Sequence, residues 1–236
     1  ATLGDLTDSG TITVGGTTSL TTSAANATIL ANQLASTGAV DVHTNGATAD
    51  ATIVNATALD IATSAVGRNF SATATLGNLT DSGTATVGGT TSLTTSQSTK
   101  TIVADLLAST GKVDVHTNGA GSHATIVNAS ALDIATSGVG GNFSATATLG
   151  DLIDSGTATV GGTTSLTTSQ ATKTITANQL ASTGAVDVHT NGAGSDATIV
   201  NASALDLAAS TVGRNLSATA TLGDLTDSGT ITVGGT

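Results

Sequence analysis

The string TLGDLTDSGT begins at Thr2 and returns, nearly unchanged, at Thr75, Thr148 and Thr221, always 73 residues on. An internal period of this kind constrains the fold more than any local propensity, because each copy must build the same supersecondary unit. Residues 75–147 and 148–220 differ at 13 positions and align without a gap, as does 2–74. Beads on a string tolerate changes in loop length. A stack in which each copy pairs with the next does not, because a one-residue slip turns a strand inside out. The chain is therefore read as one continuous unit over 1–236, with repeats at 2–74, 75–147 and 148–220 and a partial fourth at 221–236.

Within a repeat, short alternating segments dominate. Val113 and Val115 fall on one face, with Asp114 and His116 on the other; Leu132 and Ile134 oppose Asp133; Ala85 and Val87 oppose Thr84 and Thr86. Period-two alternation rich in Val, Ile and Thr marks half-buried strands. Turn formers join them, as at Asp81-Ser-Gly83, Gly88-Gly89, Asn118-Gly119 and Gly140-Gly141. The best helical stretch, 102–107, is too short and sits among β-branched residues. About eight or nine strands per repeat are expected. Pro, Cys, Met, Trp and Tyr are absent and there are two Phe, so the core must be thin and aliphatic, as in a solenoid whose layers touch only their neighbours.

The expected fold is all-β: a right-handed parallel β-solenoid (β-helix), its hand taken from the general preference of parallel crossovers. Three strands per coil give about three coils per repeat, about 24 residues each, and an advance of about 14 Å per repeat. The loop at 119–123, where the copies vary, is expected to bulge.

Charge narrows the function. The net charge is −11, all 16 acidic residues are Asp, and there are five basic residues. A nucleic-acid partner needs a basic stripe, so none is expected, and no membrane insertion either, since no apolar run approaches a span. The chain lacks an initiator Met and stops mid-repeat, so it reads as an excerpt of a longer mature protein.

No catalytic, cofactor-binding or metal site is expected. A catalytic centre needs distinct groups converging in a cleft, whereas here almost every polar residue recurs in the next copy, and Arg68 and Arg214 recur with Gly141 between them. His43, His116 and His189 share one repeat position and lie too far apart to share a metal. Calcium is the one ion with a partial motif: Asn191-Gly-Ala-Gly-Ser-Asp196 matches part of GGxGxDxUx. It occurs once per repeat, with His123 replacing the Asp in the middle copy, and falls short of six to eight oxygens. Outward Asp is read instead as a device that keeps a strand-rich rod soluble. Asn55, Asn128 and Asn201, and likewise Asn69, Asn142 and Asn215, stand in N-x-S/T tripeptides, as do Asn26 and Asn78; turn geometry is the simpler account of both rows. Phe70 and Phe143, with Leu216 as their third equivalent, are expected to be core wedges. Thr11/Thr13, Thr84/Thr86, Thr157/Thr159 and Thr230/Thr232 form outward Thr-x-Thr pairs of the kind an ice-binding face would use, recurring every third coil.

Runs such as TDSGTATVGGTTSLTTS from Thr80 and TIVNASALDIATSGVGGNFSATATLG from Thr125 resemble the repeats of filamentous-haemagglutinin-like bacterial adhesins of the two-partner secretion type, over the whole chain. The resemblance implies a β-helical shaft on a cell-surface or secreted fibre, without catalysis. Uncapped coils make neighbouring repeats or identical chains stacked end to end the expected partners, and the resemblance adds a host or neighbouring cell surface. A self-assembling filament subunit and an ice-binding solenoid are the alternatives.

Overall fold

The strands form where the alternation places them. In a computed structural model of the chain, which describes residues 1–235, 29 short strands assemble into one 14-stranded and one 15-stranded sheet, and every pairing between strands is parallel. Successive passes of the chain alternate between the sheets: Phe70–Ala74 lies in the first, Leu79–Asp81 and Ala85–Val87 in the second, Thr91–Ser98 in the first, Ile102–Ser109 in the second. The stretch 102–107 is thus strand. The chain is a β-solenoid of about 11 turns, each about 21 residues long.

The register fixes how the repeat sits on the coils. On the first sheet Leu6 pairs with Ile29, Ile29 with Ala51, Ala51 with Phe70, Phe70 with Thr91 and Thr91 with Val113. Val113 then pairs with Ile134, and Leu132 of that strand with Leu152. Leu6 and Leu152 are two repeats apart, and seven coils separate them. One repeat therefore holds three and a half coils, where the sequence reading expected about three. A coil here crosses two sheets and takes about 21 residues rather than about 24, and the shorter coil raises the count per repeat. At about 4.8 Å per coil a repeat advances about 17 Å.

Seven half-coils per repeat is an odd number, so each repeat is turned by half a coil relative to the last. Ile29 lies in the first sheet, its equivalent Ile102 in the second and Ile175 in the first again.

The interior is a single column of Val, Ile, Leu and Ala. Phe70 and Phe143 are 1% and 2% exposed, core wedges on opposite sheets. Val113, Val115, Leu132, Ile134, Ala85 and Val87 all point inward as their alternation requires.

Of the five eight-residue strands, Ile29–Ser36, Ile102–Ser109 and Ile175–Ser182 are equivalent and slip register midway, after Ala31, Ala104 and Ala177. Such a bulge frees N–H groups from the ladder. An Asp from the preceding coil takes them up. Asp81 accepts from Asp105 N–H at 3.0 Å and Leu106 N–H at 2.9 Å; Asp154 accepts from Asn178 N–H at 2.8 Å and Gln179 N–H at 2.9 Å; Asp8 accepts from Gln33 N–H at 2.7 Å. Not all Asp is outward, then: Asp154 is buried.

One corner carries backbone strain. Asn26, Thr99 and Thr172 are equivalent and have φ of 62°, 65° and 67°. Asn tolerates the left-handed region, whereas a β-branched residue does not. Thr99→Asn and Thr172→Asn should each stabilise the chain by about 1 kcal/mol, read as a higher urea midpoint with an unchanged slope. A loss of stability would mean that the Thr hydroxyl or methyl compensates for the strain.

Candidate functional site

Each repeat builds two polar corners, and both contain residues that the sequence singles out. The first centres on Asn55, Asn128 and Asn201, which end the strands Ala51–Asn55, Ala124–Asn128 and Ala197–Asn201. Alternation from Ala51 through Ile53 carries Asn55 inward, and all three Asn are 0% exposed. Asn128 Oδ1 accepts Ser109 N–H at 2.8 Å, and its Nδ2 donates to Ser109 O at 2.9 Å and Ser130 Oγ at 3.2 Å. The side-chain amide thus takes the place of a peptide group in the ladder. Ser109 Oγ continues the network to Thr91 Oγ1 across the interior at 3.0 Å. Asn55 with Ser36 and Thr18, and Asn201 with Ser182 and Thr164, repeat the arrangement. Losing one such amide would strand several buried groups at about 1–3 kcal/mol each.

The second corner lies after the variable loop. Asp50 accepts from Arg68 Nε at 2.7 Å and from Asn69 N–H at 3.0 Å, and Asp196 does the same with Arg214 and Asn215, at 2.7 and 3.0 Å. In the middle copy His123 Nδ1 accepts Asn142 N–H at 2.8 Å, and the residue facing it is Gly141. A Cβ at Gly141 would lie 2.6 Å from His123 Nδ1. The exchanges Asp→His and Arg→Gly are thus one coupled change: the ring takes over the acceptor role and needs the space that an Arg would fill. Arg214 beside Asp196 holds its carboxyl down to about 2, through the guanidinium hydrogen bond first, with burial opposing. Asp50 is lowered in the same way by Arg68. Burial instead raises Asp81 and Asp154, against the backbone N–H bonds that favour their charged forms.

The remaining candidates do not converge. His43 and His189 lie on one sheet, His116 on the other. His43 and His189 are seven coils apart, about 34 Å. Each has a neighbouring Asp, Asp41 or Asp187, at 3.8 Å. Asp196, the calcium candidate, directs its oxygens to Arg214 and Asn215, and no group of three or more metal-ligating His, Cys, Asp or Glu side chains occurs among the described residues. The Thr-x-Thr pairs are exposed, but Thr11/Thr13 and Thr157/Thr159 lie on one sheet and Thr84/Thr86 and Thr230/Thr232 on the other. On one sheet they recur every seventh coil, not every third as the sequence reading had it, because of the half-coil offset.

A hydroxyl ladder three coils long was not among the expected features. Thr52, Ser71 and Ser92 are adjacent in register, as are Val54, Thr73 and Thr94 beside them. Spacings of 19 and 21 residues between T-x-V, S-x-T and S-x-T carried that signal. A shallow groove of about 400 Å³ runs along its edge past Asp50, Asn69 and Thr90.

A family model described as repeats of unknown function (DUF5649) matches residues 48–105, 121–189 and 194–236. The chain belongs to this family. The three DUF5649 matches start 73 residues apart, each inside the variable loop, so the family's unit has the period read from the sequence. No curated protein and no solved structure matches the chain.

Two outcomes follow from the second corner. Gly141→Arg alone should cost about 1–3 kcal/mol through the close approach to His123, and adding His123→Asp should restore most of it by rebuilding the pair of the outer copies. A double-mutant cycle by urea denaturation reads the coupling; additive effects would refute the coupled exchange. Second, Asp196 lies below its ordinary value, so its contribution is complete above about pH 4 and is lost as pH falls through its folded value of about 2. Arg214→Ala should therefore melt below the parent at neutral pH, with the gap closing on acidification; a gap that persists in strong acid would assign Arg214 a packing role.

Proposed function

We propose that this chain is a structural shaft, a segment of a bacterial fibre displayed outside the cell or on its surface, with adhesive rather than catalytic use. The observation that carries the reading is the unbroken register. Twenty-two half-coils follow one another with no insertion, seven from each of the three repeats and one from the partial fourth. A fold of this kind adds length in fixed steps, because each repeat contacts only its neighbours. Main-chain hydrogen bonds run along the axis, the direction in which a shaft is loaded. The likeness to filamentous-haemagglutinin-like repeats supports the same use, with a host or neighbouring cell surface as partner. Polar clusters that recur in every copy suit a scaffold, since catalysis asks for one distinct constellation.

A second reading is a filament subunit. Any end of a parallel solenoid presents unpaired strand edges that template further strands, so separate chains could stack end to end. Ice binding is not favoured, since same-sheet Thr-x-Thr pairs lie seven coils apart.

Chains carrying three, four and five repeats separate these readings. The shaft requires a particle length that grows by about 17 Å per added repeat, independent of concentration, in small-angle scattering and negative-stain images. Lengths that rise with concentration would favour the filament subunit, and lengths that fail to scale with repeat number would overturn the shaft.

A further inference from the structure

The two rows of N-x-S/T tripeptides look alike in sequence and differ in the fold. We propose that Asn69, Asn142 and Asn215 form a row of N-glycan acceptor sites, and that Asn55, Asn128 and Asn201 are closed to this chemistry by the fold. The inference does not depend on the adhesive reading.

An acceptor asparagine must offer its Nδ2 to a donor sugar. In the closed row that atom is spent. Asn55 Nδ2 donates to Ser36 O at 2.9 Å and Thr57 Oγ1 at 3.1 Å, Asn201 Nδ2 to Ser182 O at 2.9 Å and Ser203 Oγ at 3.2 Å, and the residues are fully buried. The hydroxyls at the third position of the tripeptide, Thr57 and Ser203, are themselves donors to Ser36 O and Ser182 O.

The open row has the opposite arrangement. Asn69, Asn142 and Asn215 are exposed, at the corner just before an inward wedge residue. Asn69 Oδ1 accepts Thr90 N–H at 3.0 Å and Asn142 Oδ1 accepts Thr163 N–H at 3.1 Å. Their Nδ2 atoms make no hydrogen bond within the described residues. Gly89 and Gly162 keep this posture possible, since a Cβ there would come within 2.7 and 2.3 Å of the Asn Oδ1. The carbonyl is therefore anchored to the next coil while the nitrogen faces outward. Ser71, Ser144 and Ser217 supply the third-position hydroxyl on the outer face, and none of the three hydroxyls is engaged within the described residues.

The modification is compatible with the ladder. Asn Nδ2 attacks the anomeric carbon of a nucleotide-activated hexose. The C–N bond forms, the C–O bond to the diphosphate breaks, the nucleoside diphosphate leaves with the electron pair, and one amide proton goes to solvent. The product keeps its carbonyl oxygen, so the bond to the next coil survives. The half-coil offset then distributes the sugars. Asn69 and Asn215 precede strands of one sheet and Asn142 a strand of the other, so glycans would alternate between opposite sides of the rod every 17 Å or about that.

The experiment uses the folded 236-residue chain, UDP-glucose and a soluble sequon-directed N-glycosyltransferase, with occupancy read by peptide mass spectrometry. The expected result is glucose at Asn69, Asn142 and Asn215, with occupancy at Asn55, Asn128 and Asn201 at least about tenfold lower, since reaction there requires local opening. Synthetic peptides spanning the same tripeptides should be modified in both rows. The Ser71→Ala variant should lose the sugar at Asn69 alone while melting like the parent. Equal occupancy of the two rows in the folded chain would overturn the proposal. So would an unmodified open row in the folded chain, whether or not the peptides react.

Discussion

Every coil is held to the next by parallel main-chain pairing, and that ladder tolerates no missing residue and no unpaired group in its interior. A solenoid coil must also turn corners, where regular pairing fails. This chain repairs each failure with a side chain that stands in for a peptide group. At the bulges, Asp carboxylates accept the two freed N–H groups. At the inner corners, Asn amides both donate and accept. Where the short strands Leu132–Ile134 and Ser137–Val139 leave a break, Ser137 Oγ accepts Val115 N–H at 3.1 Å and donates to Ala135 O at 3.0 Å. The abundance of Asp, Asn, Ser and Thr is therefore structural chemistry first. Buried backbone groups have to be paired, and in a thin rod the corners can be paired only from within the coil or from the coil beside it.

That requirement also explains the gapless repeats. An inserted residue would shift the alternation, and every stand-in downstream would point the wrong way. Substitution is tolerated where the role survives. At the outer corner a carboxylate or an imidazole nitrogen can each accept the same N–H, provided that the facing residue changes from Arg to Gly. The loop 119–123 and its equivalents keep one length in all three copies while the residue at 50, 123 and 196 changes, and each version still offers an acceptor to the same N–H.

Much of this was legible in the sequence. The 73-residue period, the gapless alignment and the inward placement of Val113, Val115, Leu132 and Phe143 all followed from spacing and alternation. The number of coils did not, since alternation reports which side of a strand is buried and not which sheet the strand joins. The half-coil offset was hidden for the same reason, and with it the scattering of His43, His116 and His189 and of the Thr-x-Thr pairs over two sheets. The burial of Asn55 was present as a signal: Ala51, Ile53 and Asn55 share one parity, and the inward face continues through the Asn. Reading that residue as a turn former obscured it, because turn propensity and strand parity gave competing answers and the buried amide satisfies both.

The odd number of half-coils has a consequence for any surface chemistry the rod carries. Were the count even, a feature of the repeat would form a stripe along one side. With seven, each feature is displayed on both sides, offset by half the same-side spacing, and neither broad face is privileged. A flat binding face built from one repeat position is therefore out of reach of this arrangement. Only features shared by neighbouring coils within a repeat become contiguous, as the hydroxyls of Thr52, Ser71 and Ser92 do. Such a screw gives the rod the same surface from opposite directions and keeps its strand edges from meeting a neighbour's in register. The repeat length thus sets the surface pattern as well as the rise, and a repeat one half-coil longer or shorter would keep the core and change everything that a partner meets.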